Sequence, residues 1–420
     1  MAFVSFPFVF GSGMVWFCKF YAHKINFVFY DERIFCKTYF FIFKGGSKRN
    51  DKQIFARGSD KMKKVLFISN HAGFSKFNAP YMQWFHEQGW QVDNASPGIE
   101  TGYHDNQYDV PIKRNPFSLS NIKALFQLKK ICRQNQYDII HCHTPVGGVL
   151  GRLCVNREKC KTKVIYTAHG FHFYNGAKLI NWLLFYPIEK LLAHRADCIV
   201  TINYEDFERA KKYFNSDVRK IDGVGVNLDR FHPVSEEEKQ KIRLENGFSE
   251  KDFILIYCAQ FIPRKNHRFL IDKIALLKNQ MPNAKVCFVG SGNDEQKIKD
   301  YAESKGLKDC VYFLGYRIDV EKLYAMSDVL VSSSVQEGFG IGVIEGAACG
   351  IPALISRIRG HININILYEF NDDSFDKGLL RLYNDKTLRE EYGKYNVEYV
   401  KNFSIEHSLS QMAEIYREFM

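Results

Sequence analysis

Residues 329–361 read VLVSSSVQEGFGIGVIEGAACGIPALISRIRGH and contain, in succession, a strand, a glycine-rich turn, a helix and a second strand. The short apolar and β-branched run 329–334 suits a buried parallel strand. Three glycines at alternate positions then open a helix that Gly350 and Pro352 close. Free backbone N–H groups at a helix start, beside glycines without side chains, favour a phosphate. This segment therefore predicts an anion-binding turn in an α/β fold.

Two carboxylates flank the predicted turn. Glu337 precedes it, and Glu345 lies about one helical turn (~5 Å) inside the helix, at ~1.5 Å of rise per residue. A carboxylate beside a phosphate cradle suits sugar or ribose hydroxyls better than the anion itself. The alternative is a solvated surface glutamate in an ordinary βαβ unit. The combination of E-x7-E with a following C-G-I-P and R-G-H favours a binding site.

This combination resembles the signature of the retaining glycosyltransferases of family 4. The resemblance extends over residues 62–420 through HCHTPVGG, YTAHGFHFYNG, GVGVNLDRF, RKN and FLGYR, and bacterial exopolysaccharide and capsule enzymes are the most similar members. It implies the α/β fold called GT-B, in which two Rossmann-like domains with parallel sheets face each other. The acceptor would bind the first domain and the nucleotide sugar the second.

The length of 420 residues exceeds what one hydrophobic core supports, so at least two domains are expected. The polar region around GVGVNLDRF marks their boundary. We predict an N-terminal acceptor domain over 62–230, a nucleotide-sugar domain over 231–402, and a C-terminal helix over 403–420 that crosses back to the first domain.

Residues 1–61 contain 17 aromatic residues and differ in composition from the rest. Their apolar opening lacks a basic segment and is marginal in length for a membrane span, so a signal anchor is the less favoured alternative. Met62 is followed at once by KKVLFISN, which is typical of a first Rossmann strand. We interpret residues 1–61 as an aromatic-rich extension outside the native fold, produced by gene calling upstream of Met62.

The net charge of +11 suggests an acidic partner: a nucleotide, a nucleic acid or an anionic membrane surface. The eleven cysteines form no C-x-x-C pair, which is typical of a reduced cytosolic protein. Two amphipathic helices, within 116–134 and 181–195, combine basic with apolar residues. They predict docking at the inner face of the cytoplasmic membrane, with an ordinary solvated face as the alternative. The basic residues are dispersed and lack a nucleic-acid recognition motif.

Histidines follow two neighbouring predicted strands, and the ends of parallel strands share one ligand-binding edge. A metal site formed by His141, His143, His169 and His172 is the alternative interpretation, but no carboxylate or cysteine joins them at a usual spacing. His141 and His143 are more simply core or capping residues. His169, followed by Gly170, is assigned to the substrate.

The resemblance assigns roles residue by residue. It places His169 near the reacting sugar carbon, Glu337 on the donor sugar, and Lys265 with Arg264 on the diphosphate. The ribose would bind Glu345, and the remaining expected donor contacts are Gly73, Gly290, Tyr316, Arg317, Phe339, Gly340 and Ile341, of which Tyr316 and Arg317 would border the nucleobase.

Departure of a nucleoside diphosphate builds negative charge that fixed cations and a helix N-terminus can stabilise without a metal. No D-x-D motif follows a strand, because Asp372 and Asp373 lie in a predicted loop, so neither a metal nor another cofactor is expected. The family implies transfer of a hexosyl or N-acetylhexosaminyl group, with retention, from a nucleotide sugar to a lipid-linked or growing polysaccharide in surface-glycan biosynthesis. UDP is the donor nucleotide that the resemblance suggests. The alternatives are a GT-B nucleotide-sugar epimerase or hydrolase, and a non-catalytic polyanion-binding protein.

Two departures from the family pattern leave reduced activity open. Gln260 stands where many members have an arginine, so Arg264 has to supply the second charge. The segment after His361 is shorter than the glycine-containing loop of related sequences, which could compromise the donor site. Gly346, inside a predicted helix, costs up to ~1 kcal/mol relative to alanine.

Overall fold

The computed structural model describes residues 62–98 and 102–420, together with three earlier strands, β1 (Ser5–Phe10), β2 (Met14–Tyr21) and β3 (Lys24–Phe29). These three strands form an antiparallel sheet in the order β1-β2-β3. The chain separates into two compact units between Lys61 and Met62. All the elements from β4 onward belong to the second unit.

The first half of this unit alternates strands and helices. Its elements are β4 (Lys64–Ile68), α1 (Ser75–Glu87), β5 (Gln91–Ser96), β6 (Asn106–Asp109), α2 (Ser120–Asn135), β7 (Ile139–His143), α3 (Pro145–Cys154), β8 (Lys163–Ala168), α4 (Leu179–Ala193), β9 (Cys198–Thr201), α5 (Tyr204–Tyr213) and β10 (Asp217–Lys220). All seven strands are parallel, in the order β10-β9-β8-β7-β4-β5-β6. The central strands β4, β7, β8 and β9 are rich in apolar residues because helices cover both faces of such a sheet.

A second parallel sheet follows in the order β13-β12-β11-β14-β15-β16. The corresponding elements are α6 (Glu236–Glu245), β11 (Phe253–Cys258), α7 (His267–Leu277), β12 (Ala284–Val289), α8 (Glu295–Ser304), β13 (Val311–Phe313), α9 (Val320–Ala325), β14 (Val329–Ser332), α10 (Ile341–Ala348), β15 (Ala353–Ser356), β16 (Ile366–Tyr368), α11 (Ser374–Asn384), α12 (Lys386–Tyr399) and α13 (Ile405–Glu418). The prediction of two α/β halves with parallel sheets is thus confirmed.

Helix α13 belongs by sequence to the second half and packs on the first. Ser404 caps it by accepting a hydrogen bond from the backbone N–H of His407. Tyr416, fully buried, stacks on Trp84 of α1 with ring centroids 5.5 Å apart. Helix α13 therefore packs against the first half of this unit.

Both sheets reverse their strand order at an internal strand, and open α/β folds bind ligands at such switch points. In the first sheet the switch lies between β4 and β7, and in the second between β11 and β14. His143 is the last residue of β7, and the loops that leave β11 and β14 carry Lys265 and Glu337. No helix in the described part of the chain is long and apolar enough to cross a membrane.

Candidate functional site

A cluster of charged side chains lies at the switch point of the second sheet. A single 3-10 turn, Pro263–Lys265, follows β11, and Glu337 follows β14 on the neighbouring strand. One carboxylate oxygen of Glu337 pairs with Lys265 Nζ and accepts a 2.6 Å hydrogen bond from Ser334 Oγ. The other lies 3.1 Å from Arg264 Nη1. The structure thus brings together three of the predicted site residues. The two cations and the one carboxylate together carry a net positive charge.

Glu337 is only 6% exposed. Burial by itself would raise the pKa of this carboxyl, but the ammonium of Lys265, the Ser334 hydroxyl and the guanidinium of Arg264 hold the pKa below its ordinary value. Glu337 is therefore ionised at neutral pH and fixes both cations. An arriving diphosphate would meet two preorganised positive charges.

Glu345 lies on α10, about one turn beyond the glycine-rich loop. Burial raises the pKa of its carboxyl to about 7, a shift that the positive charge of Arg230 opposes and the negative charge of Glu321 reinforces. Glu345 is thus half ionised near neutral pH, unlike Glu337.

The loop after β13 carries the residues predicted to border the nucleobase. Tyr316 is exposed, so its ring is available for stacking. Arg317 is held in place, since its guanidinium donates two 2.7 Å hydrogen bonds to Asp319 of the same loop and a 3.3 Å hydrogen bond to Asn246, just after α6. Gly290, at the end of β12, lies beside this loop because its N–H donates to the carbonyl of Gly315 over 2.8 Å.

The glycine-rich turn after Glu337 meets the first domain. A Cβ on Gly338 would lie 2.0 Å from the carbonyl oxygen of His169, so only glycine allows this approach. The Gly338 carbonyl also accepts a 3.2 Å hydrogen bond from Asn203 Nδ2. The loop that positions Glu337 therefore lies directly against the loop that carries His169.

Aromatic and histidine side chains surround the ring of His169. Its ring lies 4.8 Å from Phe74 in an edge-on contact, and its Nε2 lies 3.2 Å from Nδ1 of His143. Burial lowers the pKa of His169 to about 4. The imidazole is thus neutral at physiological pH, and it can donate one hydrogen bond and accept another without carrying a charge.

The earlier histidine of the HCH sequence is a core residue. His141 is fully buried, and its Nδ1 lies 2.6 Å from the hydroxyl of Tyr416 on α13. Its Nε2 lies 2.8 Å from Thr167 Oγ1. His143 is also buried, but its contact with His169 was not predicted. The signal was that both histidines lie at the ends of neighbouring strands: His143 of β7 pairs with Thr167 of β8, and His169 lies two residues beyond Thr167.

An ion pair between the two halves was also missed. Arg359, in the R-G-H sequence after β15, lies 2.5 Å from the fully buried carboxylate of Asp206 on α5. Its guanidinium also donates to the Phe171 carbonyl over 2.7 Å and stacks on Tyr174. This contact links the second domain to the loop after β8, two residues beyond His169.

The remaining predicted residues surround the start of α10 or lie in the first domain. Gly340 donates its N–H to the Gly360 carbonyl over 2.7 Å, so this N–H is already engaged. The Phe339 ring packs on Phe403, leaving only its backbone for a ligand. Ile341 is the first residue of α10, and Gly73 lies in a 3-10 turn after β4. Among residues 62–98 and 102–420, no group of three or more histidine, cysteine or acidic side chains is arranged to hold a metal.

Known proteins share both halves of this arrangement. Residues 64–203 match the family model described as Glycosyl transferase 4-like, and residues 238–398 match Glycosyl transferases group 1. The EpsD protein of Bacillus subtilis (strain 168), named as a glycosyltransferase, is 41% identical over 85% of this chain and 97% of its own length. An Escherichia coli enzyme named UDP-Gal:alpha-D-GlcNAc-diphosphoundecaprenol alpha-1,3-galactosyltransferase is 27% identical over 76% of this chain and 86% of its own.

Solved structures share the fold at low sequence identity. Sucrose-phosphate synthase from Thermosynechococcus elongatus superposes with a TM-score of 0.71 at 20% identity, covering 85% of this chain and 98% of its own. Anabaena Alr3699/HepE, solved with UDP and glucose, gives a TM-score of 0.70 at 16% identity over 85% of this chain and 100% of its own. Together with the family models and the EpsD match, these findings show that this chain belongs to the group 1, family-4-like glycosyltransferases of GT-B fold and is a glycosyltransferase of glycan biosynthesis.

Proposed function

We propose that this enzyme transfers a hexosyl or N-acetylhexosaminyl group, with retention, from a UDP-linked sugar to a lipid-linked glycan in surface-polysaccharide synthesis. The observation that carries the proposal is the charged cluster of Lys265, Arg264 and Glu337, which faces His169 across Gly338. The printed name of the Escherichia coli relative supports both the UDP donor and the diphosphate-linked lipid acceptor.

The charges suit the bond that has to break. As the bond from the anomeric carbon to the diphosphate opens, negative charge grows on the leaving oxygen, and Lys265 and Arg264 stabilise it. Glu337 orients Lys265 and accepts hydrogen bonds from the donor sugar. The acceptor hydroxyl forms the new bond to the same carbon and gives its proton to the oxygen of the departing diphosphate, which leaves as the nucleoside diphosphate. Two fixed cations and the start of α10 supply the charge stabilisation for which other enzymes use a metal, so we propose a metal-independent reaction.

The first domain carries two exposed apolar segments suited to a membrane, which together we call the lipid-facing surface. It consists of exposed apolar side chains in 117–126 and on α4, namely Phe117, Leu119, Ile122, Phe126, Leu179, Ile180, Leu183, Ile188 and Leu191. Residues 110–137 contain six lysines and arginines and no acidic residue. Apolar side chains fringed by basic ones favour an anionic bilayer. We therefore propose a cytoplasmic protein that docks peripherally on the inner face of the cytoplasmic membrane.

The domain organisation is part of the same proposal. The acceptor domain spans 62–230, the nucleotide-sugar domain 231–402 and the crossing helix 403–420, with residues 1–61 outside the native fold. The placement of both matched family models within 62–420 supports this division.

Nucleotide binding tests the donor site. UDP, GDP and ADP are each added in a thermal unfolding experiment, in which a ligand of the folded state raises Tm in proportion to RT ln(1 + [L]/Kd). We expect UDP to stabilise the parent protein. The Lys265→Gln variant should lose this shift, and Lys273→Gln, which removes the ion pair between α7 and Asp376 of α11, should keep it. A shift retained by Lys265→Gln contradicts the site.

Product analysis tests the reaction class. We expect the UDP-sugar to be consumed only when a polyprenyl diphosphate-linked glycan is present. Consumption without an acceptor would instead identify an epimerase or hydrolase of the same fold. Salt-sensitive nucleic-acid binding that is independent of Glu337 would indicate the polyanion-binding alternative.

A further inference from the structure

A row of aromatic rings leads from the surface of the first domain to His169. Phe74 ends the 3-10 turn after β4, and its ring centroid lies 4.8 Å from that of His169 and 5.3 Å from that of His143. Phe77 follows in the first turn of α1, with its ring centroid 5.6 Å from that of Phe74. The rings of Phe77, Phe74 and His169 thus lie in sequence, and we call them the aromatic row.

The outer end of the aromatic row is open to solvent. Phe77 is 44% exposed, and Phe74 and His169 are partly buried. A single exposed phenylalanine needs no special explanation, because folded proteins expose much apolar surface. Phe77 differs in that its ring leads through Phe74 to His169, whose carbonyl oxygen lies against Gly338 of the donor loop. A ligand that covers Phe77 would therefore lie beside the place where the two domains meet.

The switch points of the two sheets present different chemistry. At the second sheet, Lys265, Arg264 and Glu337 come together with a net positive charge. At the first sheet, the loop 69–74 that follows β4 contains no acidic residue, lysine or arginine, and β7 ends at His143. The first switch point therefore offers aromatic rings and imidazoles, which suit an uncharged ligand better than a phosphate.

A pyranose sugar matches this set of groups. Its hydroxyls exchange hydrogen bonds, and its ring faces consist of C–H groups. The hydrogens on these oxygen-bearing carbons carry a partial positive charge, and the face of an aromatic ring is negative. A sugar can therefore pack a C–H face on Phe77 and Phe74 while a hydroxyl points toward His169. Ligand sites in general combine such aromatic contacts with a few polar groups that fix the orientation.

We propose that Phe77 and Phe74 bind the acceptor sugar, the pyranose whose hydroxyl attacks the donor. Phe77 supplies the exposed ring face, and Phe74 holds the sugar next to His169. The inference rests on the proposed function and adds the residues that recognise the acceptor glycan. It also limits the acceptor to a pyranose with one C–H face free for stacking. A lipid chain is the other apolar group that could cover Phe77.

Steady-state kinetics with a water-soluble acceptor, a short alkyl diphosphate-linked glycan, tests the sugar contact. We expect Phe77→Ala to raise KM for the acceptor about tenfold and to leave KM for the UDP-sugar unchanged, because the lost contact is to the acceptor alone. Phe77→Trp should keep the acceptor KM close to the parent value. Phe77→Leu, which is apolar but has no ring, should lose as much as Phe77→Ala. Tyr395→Ala, at an aromatic residue that is 52% exposed on α12 of the other domain, is the matched control and should behave like the parent.

Vesicle binding separates a sugar from a lipid chain as the occupant. Phosphatidylglycerol vesicles without any glycan are the probe, and Phe77→Ala should bind them as tightly as the parent does. Weaker binding by the variant would assign Phe77 to the membrane and overturn the proposal. An acceptor KM that is normal in Phe77→Leu would also overturn it, because the contact would then be apolar rather than aromatic.

Saturation-transfer NMR distinguishes a failure of this inference from a failure of the proposed function. The phenylalanine ring protons of the full chain are saturated in the presence of UDP and of methyl glycosides of glucose, galactose and their N-acetylamino derivatives. We expect the C–H protons of at least one glycoside to receive saturation from the parent and to lose it in Phe77→Ala. Active transfer with an unchanged acceptor KM in Phe77→Ala refutes the subsite and leaves the function standing. If the parent transfers no sugar, the function fails and the NMR result decides the subsite: no saturation, or equal saturation in both proteins, overturns it.

Discussion

Nδ1 of His143 lies 3.2 Å from Nε2 of His169, so a buried imidazole supports the one that faces the donor loop. Burial and the neighbouring histidines hold the pKa of His143 well below its ordinary value, so both rings are neutral at pH 7. Nε2 of His143 is buried and has no partner in the described part of the chain. Because orphaned buried N–H donors are rarer than orphaned acceptors, we assign the His143 proton to Nδ1. His169 then accepts at Nε2 and carries its own proton on Nδ1.

Removing this support should slow the transfer more than it weakens binding. We expect His143→Leu to lower kcat about tenfold with little change in the donor KM, because it frees the ring of His169 without touching the nucleotide site. His143→Asn, whose amide nitrogen can replace Nδ1 as the donor, should restore part of kcat. Steady-state kinetics of the two variants measures the difference. Equal losses in both would show that His143 only fills space.

The pair Arg359–Asp206 should couple the two domains energetically. Removing one partner of a buried ion pair typically costs about 3–5 kcal/mol, since the other charge stays buried and uncompensated. We expect Arg359→Met and Asp206→Asn to show a coupling energy of at least ~2 kcal/mol in a double-mutant cycle measured by urea unfolding. The exposed pair Arg219–Glu418 is the matched control and should couple by no more than ~1 kcal/mol. Similar values for both pairs would contradict a buried link between the domains.

Charged substitutions on the lipid-facing surface should abolish docking without unfolding the protein. Leu183 and Leu191 on α4 are 63% and 69% exposed, so glutamate at either position meets solvent rather than the core. We expect Leu183→Glu and Leu191→Glu to reduce binding to anionic vesicles severalfold, with Tm nearly unchanged. Leu244→Glu, at a leucine that is 68% exposed on α6 of the other domain, should bind like the parent. Loss of binding in all three variants would point to net charge alone.

The site residues that the sequence predicted most directly are those that follow a strand. Lys265 and Glu337 each follow a strand of the second parallel sheet, and such strands end at the same edge, so their convergence could be predicted from the alternation of elements. His169 follows a strand of the first sheet and meets them only because the two domains face each other. The resemblance then added a separate ligand contact for each residue. That Lys265 and Glu337 pair with each other depends on β11 lying beside β14, a strand order that the sequence alone does not reveal.

The ion pair between Arg359 and Asp206 shows more clearly which contacts cannot be predicted from the sequence. These residues are 153 positions apart and lie in different domains, and the sequence around Asp206 is typical of a solvated helix. Asp206 is buried only because the two domains lie close together there. The segment 181–195 was predicted to be a helix that combines basic with apolar residues, but which of its leucines face solvent depends on where the helix packs. Glu189 on the same helix is buried because it pairs with Arg152, with 2.7 Å between Oε2 and Nη2.

Glu345 should make both stability and donor affinity depend on pH, in opposite directions. Burial raises the pKa of this carboxyl from 4.5 to about 7 in the folded protein. A raised acid pKa means that folding favours the protonated form. The contribution of Glu345 to the free energy of unfolding is therefore complete below pH 4.5. It is lost as the pH rises through about 7, by up to ~3 kcal/mol, at ~1.4 kcal/mol per unit of pKa shift. The proposed hydrogen bonds from the ribose need the ionised form, which is about 10% populated one unit below the pKa and about 90% one unit above it.

Two measurements on Glu345→Gln check these opposite trends. The variant should be more stable than the parent at pH 8 and nearly equal to it at pH 5, as measured by urea unfolding. UDP-glucose should bind the parent several times more tightly at pH 8 than at pH 6, and this gain should vanish in Glu345→Gln. The diphosphate diester of UDP-glucose, unlike the terminal phosphate of UDP, does not titrate in this range, and the pKa of His169 at about 4 lies below it. A gain that persists in the variant would assign the titration to another group and remove Glu345 from the ribose site.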